Sequence, residues 1–250
     1  MTERAALLDL DAVERAVPVP WELVDRLRAL VRSADELPHP IDVGASSDAV
    51  ARALIELVPD ALERHRDADV PAPVTRETLV DVGRKHRLYG AATVVPWMLE
   101  LLRAEVLSAG RLQVSMRESD HGHHLHIPEL GPLLAADVDA SLVRASQLTG
   151  STRYVCTSWL LDPRLRSALA GSNISAFAQR FHIVSGEEET LPASEEAARF
   201  VFRRPLAEVL DSALPTESRL ERVVASTLRS GRNWTMPTGV LRVPGPHLVG

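Results

Sequence analysis

The sequence predicts a mixed α/β protein, with a helical N-terminal half and a C-terminal half built on a mixed β-sheet with helices between its strands. Three observations predict it. Apolar residues recur at helical spacing through the first part of the chain, as in WELVDRLRALVRSADEL. From Arg111 the period drops to two, with Leu112, Val114 and Met116 alternating against Gln113, Ser115 and Arg117. A strand, helix, strand order over 124–160 then calls for a parallel pair joined by a crossover helix. The change of texture divides the chain into a helical domain at 1–95 and a mixed α/β domain at 96–250.

The elements follow in order. AALLDLDAVERAV is a helical run, separated by Pro18 and Pro20 from the helix WELVDRLRALVRSADEL. SDAVARALIELVPDALERHR is one amphipathic run with Ser47 or Asp48 as N-cap. Two prolines in DADVPAPVT break the chain before a helix starting at Thr75, and Pro96 opens a helix that ends at Gly110. RLQVSMR and HHLHIP are strands, AADVDASLVRASQLTG is a helix and TRYVCTSWLL is a strand. Asp162 caps a short helix with Pro163 at its first position. AFAQRFHIVSG and AARFVFRR read as strands, with 177–184 and 198–203 pairing antiparallel. A helix capped by Thr216 and a short strand and tail in TGVLRVPGP complete the chain.

Composition sets limits. At 250 residues the chain makes one large domain or two small ones. Hydrophobic residues are 45% and aromatic residues 4%, so Leu, Val and Ala must fill the core. A net charge of -6 argues against a general nucleic-acid binder, which shows a basic face. Lys85 is the one lysine, and its setting GRKHRLYG offers no dry pocket for Schiff-base chemistry. Cys156 is the one cysteine, which leaves no internal disulfide and fits a reducing compartment. The opening residues are too charged for a signal peptide, and no apolar run reaches the roughly 20 residues of a membrane span. The expectation is a cytoplasmic protein with neither nucleic acid nor membrane as partner.

The chemistry concentrates in DHGHHLHIPELGPL, which holds four of the nine histidines. On a strand His124 and His126 share one face, while Leu125 and Ile127 take the other. Such a pair is half a metal site, but His182 is the only later strand histidine and its surroundings do not complete one, so no metal is expected. His123 and His121 fall in a polar turn beside Gly122. His126 and Glu129, at a strand end, are candidates for a general base. Gly131 stands between strand end and helix start, where free amides can meet a phosphate, although Asp137 and Asp139 repel one. Cys156 is a nucleophile only if a base depresses its pKa; otherwise it is core packing. Ser158 can donate a proton, and Asn173 and Arg180 can bind a carboxylate or phosphate.

Six segments occur in order: GRLQ, HIPELGPL, SWLLDPRL, SNISAFAQRF, FVFRRPL and SGRNWTMPTGVL. Together they resemble the actinobacterial acyltransferase-domain family, which pairs a helical N-terminal domain with a GNAT-like C-terminal domain. The resemblance is good over 110–243 and looser before it. It implies a GNAT-like mixed sheet flanked by helices, and an N-acyltransferase in which two strands splay to admit an acyl thioester. The splayed strands would be 124–128 and 153–159, with the helix 134–147 between them and the loop 129–134 facing a pyrophosphate. His126 or Glu129 would be the base, and Ser158 or Cys156 the acid. Ile127, Pro128, Gly131 and Leu133 would meet the donor. His124, Trp159, Asn173 and Arg180 would meet the acceptor.

The sequence departs from that superfamily's Q/R-x-x-G-x-G/A loop, having ELGPLLA there, and carries no tyrosine in DPRLRSALAG. Three options follow: a carrier-protein thioester in place of acyl-CoA, another geometry for CoA, or a scaffold turned to another end. The leading expectation is an acyltransferase acting on an amine or hydroxyl of a small molecule, with acyl-CoA or an acyl carrier protein as donor. The rivals are a cyclase, isomerase or hydrolase of specialised metabolism using His126, Glu129 and Cys156, and a non-catalytic binding module.

Overall fold

The helical half is made of short pieces because its sequence interrupts itself every few turns. A computed structural model describes residues 2–38, 41–211 and 213–244, and its contacts divide into two compact units, 1–108 and 109–250. The first holds α1 (Glu3–Leu8), α2 (Asp11–Ala16), α3 (Trp21–Arg32), α4 (Ser47–Glu56), α5 (Val58–Asp67), α6 (Ala72–Leu79), α7 (Asp81–Tyr89) and α8 (Val95–Leu102). Asp9 turns to φ 58° and splits the first expected run into α1 and α2. Pro59 sits in the first turn of α5, where it needs no N–H, and divides the run 47–66 at Leu57. Leu27, Leu54, Leu79, Met98 and Leu99 lie in one apolar core. Lys85 pairs with Asp81 at 3.5 Å and lies 5.1 Å above the Trp97 ring.

Three expectations in this unit are corrected. Ser46, not Ser47 or Asp48, caps α4, accepting from the Ala49 amide at 3.2 Å. The helix expected from Thr75 starts at Ala72, because Pro73 fits its first turn. Thr75 and Thr78 are buried within it, and Thr78 Oγ1 accepts from the Ser108 amide at 2.9 Å. The helix from Pro96 ends at Leu102 rather than Gly110, since Ala104 turns to φ 57° and the apolar VLSA becomes strand β1 (Val106–Ala109).

The chain continues with β2 (Leu112–Ser119), β3 (Gly122–His126), α9 (Ala135–Thr149), β4 (Arg153–Thr157), α10 (Pro163–Ala168), α11 (Asn173–Ala178), β5 (His182–Ser185), α12 (Leu191–Phe202), α13 (Leu206–Val209), α14 (Arg219–Arg229) and β6 (Thr238–Arg242). The six-stranded sheet runs in the order β1-β2-β3-β4-β6-β5. β3 and β4 are parallel across α9, as the strand, helix, strand order predicts. β2–β3, β4–β6 and β5–β6 are antiparallel. This is the mixed α+β class the sequence predicts.

The second half carries corrections too. AFAQRFHIVSG is a strand only over β5, because Ser172 caps NISAFA into α11. AARFVFRR ends α12: Ala193, Ala197 and Ala198 are buried at helical spacing, a stripe that four-residue inspection misses. The antiparallel pair expected between 177–184 and 198–203 is therefore absent, and β5 pairs with β6 instead. Ser218, not Thr216, caps α14, forming a capping box with Glu221. The tail after Pro244 lies outside the described residues. Among the described residues no helix is long and apolar enough to cross a membrane.

Candidate active site

β3 and β4 start together and then lose their ladder. His123 pairs with Tyr154 and His124 with Val155, and no later pair joins the two strands. β4 nevertheless keeps its pairing to β6 through Cys156–Gly239 and Thr157–Thr238, where the two threonine hydroxyls meet at 2.9 Å. So β4 stays in the sheet past the point where its ladder with β3 ends, and His126 stands beside that opening in the ladder. An edge of this kind leaves strand amides and carbonyls to be met by another extended chain.

Register decides which side chains share that opening. Paired residues on neighbouring strands point to the same face. His124 therefore shares a face with Val155 and Thr157, and its ring stacks on His126 at 6.5 Å between centroids. Burial, helped by the nearby His121, holds the His124 pKa below the ordinary histidine value, so its ring stays neutral readily. His126 is exposed, and its Nε2 lies 2.8 Å from Ser115 Oγ. His123 points the other way and is buried, with Nδ1 donating to the Ser115 carbonyl at 2.9 Å. Among the described residues no group of three or more His, Cys, Asp and Glu side chains is placed to hold a metal.

The loop after β3 is organised by arginines. Arg111 donates to the carbonyls of Pro128 (2.7 Å), Gly131 (2.6 Å) and Pro132 (3.0 Å). Its own amide donates to Ser141 Oγ of α9 at 2.8 Å. Burial lowers the Arg111 pKa from its ordinary value, opposed by Asp137, yet it remains the charge that gathers these carbonyls. Gly131 turns to φ 86°, a conformation that suits glycine, with open space around it. No side chain caps α9 at Leu134. Arg180 pairs with Asp139 and reaches the Ala135 carbonyl at 3.4 Å, so it lies over the start of α9. Arg203, in left-handed conformation at the end of α12, engages both oxygens of Glu129. Three guanidinium groups thus surround residues 128–139.

The other expected residues are placed as follows. Glu129 engages Arg203 with both oxygens, which ties the loop to α12. Cys156 is 1% exposed on the opposite sheet face from His124 and His126, in a core with Leu125, Leu142 and Phe177. Burial, reinforced by Glu196, pushes its thiol up to about 12, which removes it as nucleophile or acid. Ser158 Oγ accepts from the Leu160 amide at 3.2 Å and keeps its O–H to donate. Trp159 is 3% exposed against Trp234, at 6.5 Å between ring centroids, so it is core and not a wall for an acceptor. Leu133 is 6% exposed within the core, so only its backbone can meet a ligand. Ile127 is half-buried against the same core, and Pro128 is buried. Asn173 is exposed at the first turn of α11, not at a strand end. Arg111, Ser115 and Arg203 were not among the expected site residues. Arg111 carried a signal, directly after Gly110 at the start of the alternating strand, whereas Arg203 lies 74 residues from Glu129 and carried none.

A mixed sheet opened between parallel neighbours, with a histidine at the opening and an arginine-lined loop beside it, defines an acyl-transfer fold of the GNAT-like kind. Residues 61–241 match the GNAT-like C-terminal domain, and residues 2–103 match the N-acyltransferase N-terminal domain. The chain belongs to this family of GNAT-like acyltransferases. It is similar to the crystal structure of an acyltransferase in complex with CoA and 10C-teicoplanin, with 29% identity and a TM-score of 0.79, covering 96% of this chain and 86% of that one. An acyltransferase in complex with decanoyl-CoA and teicoplanin matches at 29% identity with a TM-score of 0.77 and the same coverage, 96% and 86%. One in complex with decanoyl-CoA matches at 29% identity with a TM-score of 0.74, covering 94% and 83%. Curated proteins gave no match.

Proposed function

We propose that the chain transfers an acyl group from acyl-CoA to an amine or hydroxyl of a small molecule, with His126 as general base. The observation that carries this reading is the end of the β3–β4 ladder at His124–Val155, with His126 beside the opening. The pantetheine arm lies in that opening as an added strand, and the diphosphate faces the loop 128–135, whose amides and arginines favour an anion. The loop lacks repeated glycines, and Arg111 shapes it instead. We read residues 1–95 as an accessory helical domain and 96–250 as the catalytic domain, since every candidate group named falls in the latter.

The chemistry balances with few groups. The acceptor's lone pair attacks the thioester carbonyl and forms the new C–N or C–O bond. His126 takes the proton that the nucleophile sheds. The C–S bond breaks, and the CoA thiolate leaves and takes up a proton from solvent, to which His126 returns the one it took. His124, neutral and stacked on His126, lines the acceptor side. Relatives that hold CoA, decanoyl-CoA and teicoplanin support an acyl-CoA donor and a small-molecule acceptor.

Incubation with an acyl-CoA panel and candidate amines, teicoplanin included, tests the reading through thiol release. Release that needs both partners supports it. No release, together with no protection by CoA in a thermal melt, overturns it. Turnover of an acyl-carrier-protein thioester but of no acyl-CoA would transfer the donor role to the carrier protein.

A further inference from the structure

We propose that Ser115 is the positioning residue for His126, holding the imidazole in place and stabilising it once protonated; this rests on His126 being the general base. The starting point is an irregularity in the sheet. Val114 pairs with Leu125, and the next pair is Glu118 with His123, so four steps along β2 match two along β3. The extra residues bulge out of the ladder and give up its hydrogen bonds, which needs compensation.

Two histidines of β3 supply it, both at Ser115. His123 Nδ1 donates to the Ser115 carbonyl at 2.9 Å, because a carbonyl can only accept. The Ser115 hydroxyl meets His126 Nε2 at 2.8 Å. His123 and His126 project to opposite faces of β3, since they are three residues apart on a strand. Ser115 is therefore held by its main chain on one side and holds a ring by its side chain on the other. His123 locates the bulge, and the bulge locates the hydroxyl.

The protonation state fixes the direction of that bond. With His126 neutral, either atom can donate. With His126 protonated, Nε2 carries a hydrogen and the Ser115 oxygen must accept it. The hydroxyl thus favours the imidazolium that forms as the nucleophile loses its proton, and it sets the ring plane beforehand. Removing it lowers the affinity of His126 for a proton.

The test uses the full chain with Ser115→Ala, Ser115→Thr and His126→Gln, measuring kcat, KM for acyl-CoA and the NMR titration of the His126 ring. Ser115→Ala is expected to lower kcat by roughly 10- to 100-fold, with KM for acyl-CoA within about twofold, as loss of an orienting partner does elsewhere. The acid limb of the pH profile and the ring titration both move to lower pH, and Ser115→Thr restores them. Ser115→Cys, similar in size with a weak acceptor, gives the same reading should the alanine variant fail to fold. An unmoved ring titration in Ser115→Ala overturns the proposal, as does a kcat within twofold of wild type. If His126→Gln keeps the wild-type rate, the base assignment falls instead, and the ring titration still reports on Ser115 separately.

Discussion

Arg111 Nη2 donates to the carbonyl of Gly131 at 2.6 Å, and the other arms of the same guanidinium take Pro128 and Pro132. A loop whose carbonyls are drawn to one side has its remaining amides turned elsewhere. Arg111→Ala should therefore raise KM for acyl-CoA while leaving kcat within about threefold. Hydrogen bonds from a charged group contribute about 1.5–3 kcal/mol, which corresponds to roughly 10- to 100-fold in KM. Arg111→Lys should fall between, because an ammonium cannot span three carbonyls as a planar fork does. Steady-state kinetics with the acyl-CoA varied checks both variants.

His126 and Glu129 separate by substitution. His126→Gln should lower kcat by roughly 10²- to 10⁴-fold, the range for loss of a positioned base. Glu129→Gln should cost far less in kcat, because the Glu129 carboxylate is engaged as a tether to Arg203. A larger kcat loss in Glu129→Gln than in His126→Gln would exchange their roles.

Cys156 gives a pH dependence with a definite sign. Burial and Glu196 raise its thiol from 9.0 to about 12 in the folded chain. Between those values the unfolded chain loses the proton and the native chain keeps it, so stability falls as pH rises through that window. Below the unfolded value the contribution is fully present. Cys156→Ala should keep near wild-type turnover and show a flatter loss of stability above pH 9, measured by urea melts from pH 8 to 11. The native thiol should also resist iodoacetamide at pH 8.

Asp162 anchors the segment that leads into β6. Its carboxylate accepts from the Arg164 amide (2.7 Å), Arg164 Nη2 (2.7 Å), the Thr235 amide (3.1 Å) and Thr235 Oγ1 (2.8 Å). Burial alone would raise its pKa, but the bonds from Arg164 and Thr235 win and hold it below the ordinary carboxylate value. Its stabilisation is thus present above that ordinary value and lost as pH falls through the lower, folded one. Asp162→Ala should destabilise the chain by on the order of 3 kcal/mol, because buried donors lose their acceptor. Chemical denaturation at pH 7 measures it.

Local signals carried much of the fold. The alternation of 112–117, the helix 135–149 ending at Gly150, and the Asp162–Pro163 start are all written within a few residues of where they act. SNISAFAQRF and AARFVFRR misled because short apolar runs fit either period, and only burial of Ala193, Ala197 and Ala198 on one stripe resolves the second. At the site, His124 and His126 were readable from strand parity alone. Arg203 and Thr238 were not, because their partners Glu129 and Thr157 lie 74 and 81 residues away and meet them only in the folded chain. The demotion of Cys156 likewise depended on which side of the sheet faces α9, which the sequence leaves undetermined.

Lys85 has a consequence for a protein that handles activated thioesters. Such compounds acylate side-chain amines spontaneously, and most chains of this size expose many. Here the single ε-amine is bound to Asp81 and covered by the Trp97 ring. Stray self-modification therefore has one shielded target among the side chains, and an arginine-rich exterior keeps its positive charge through long exposure to the reagent it consumes.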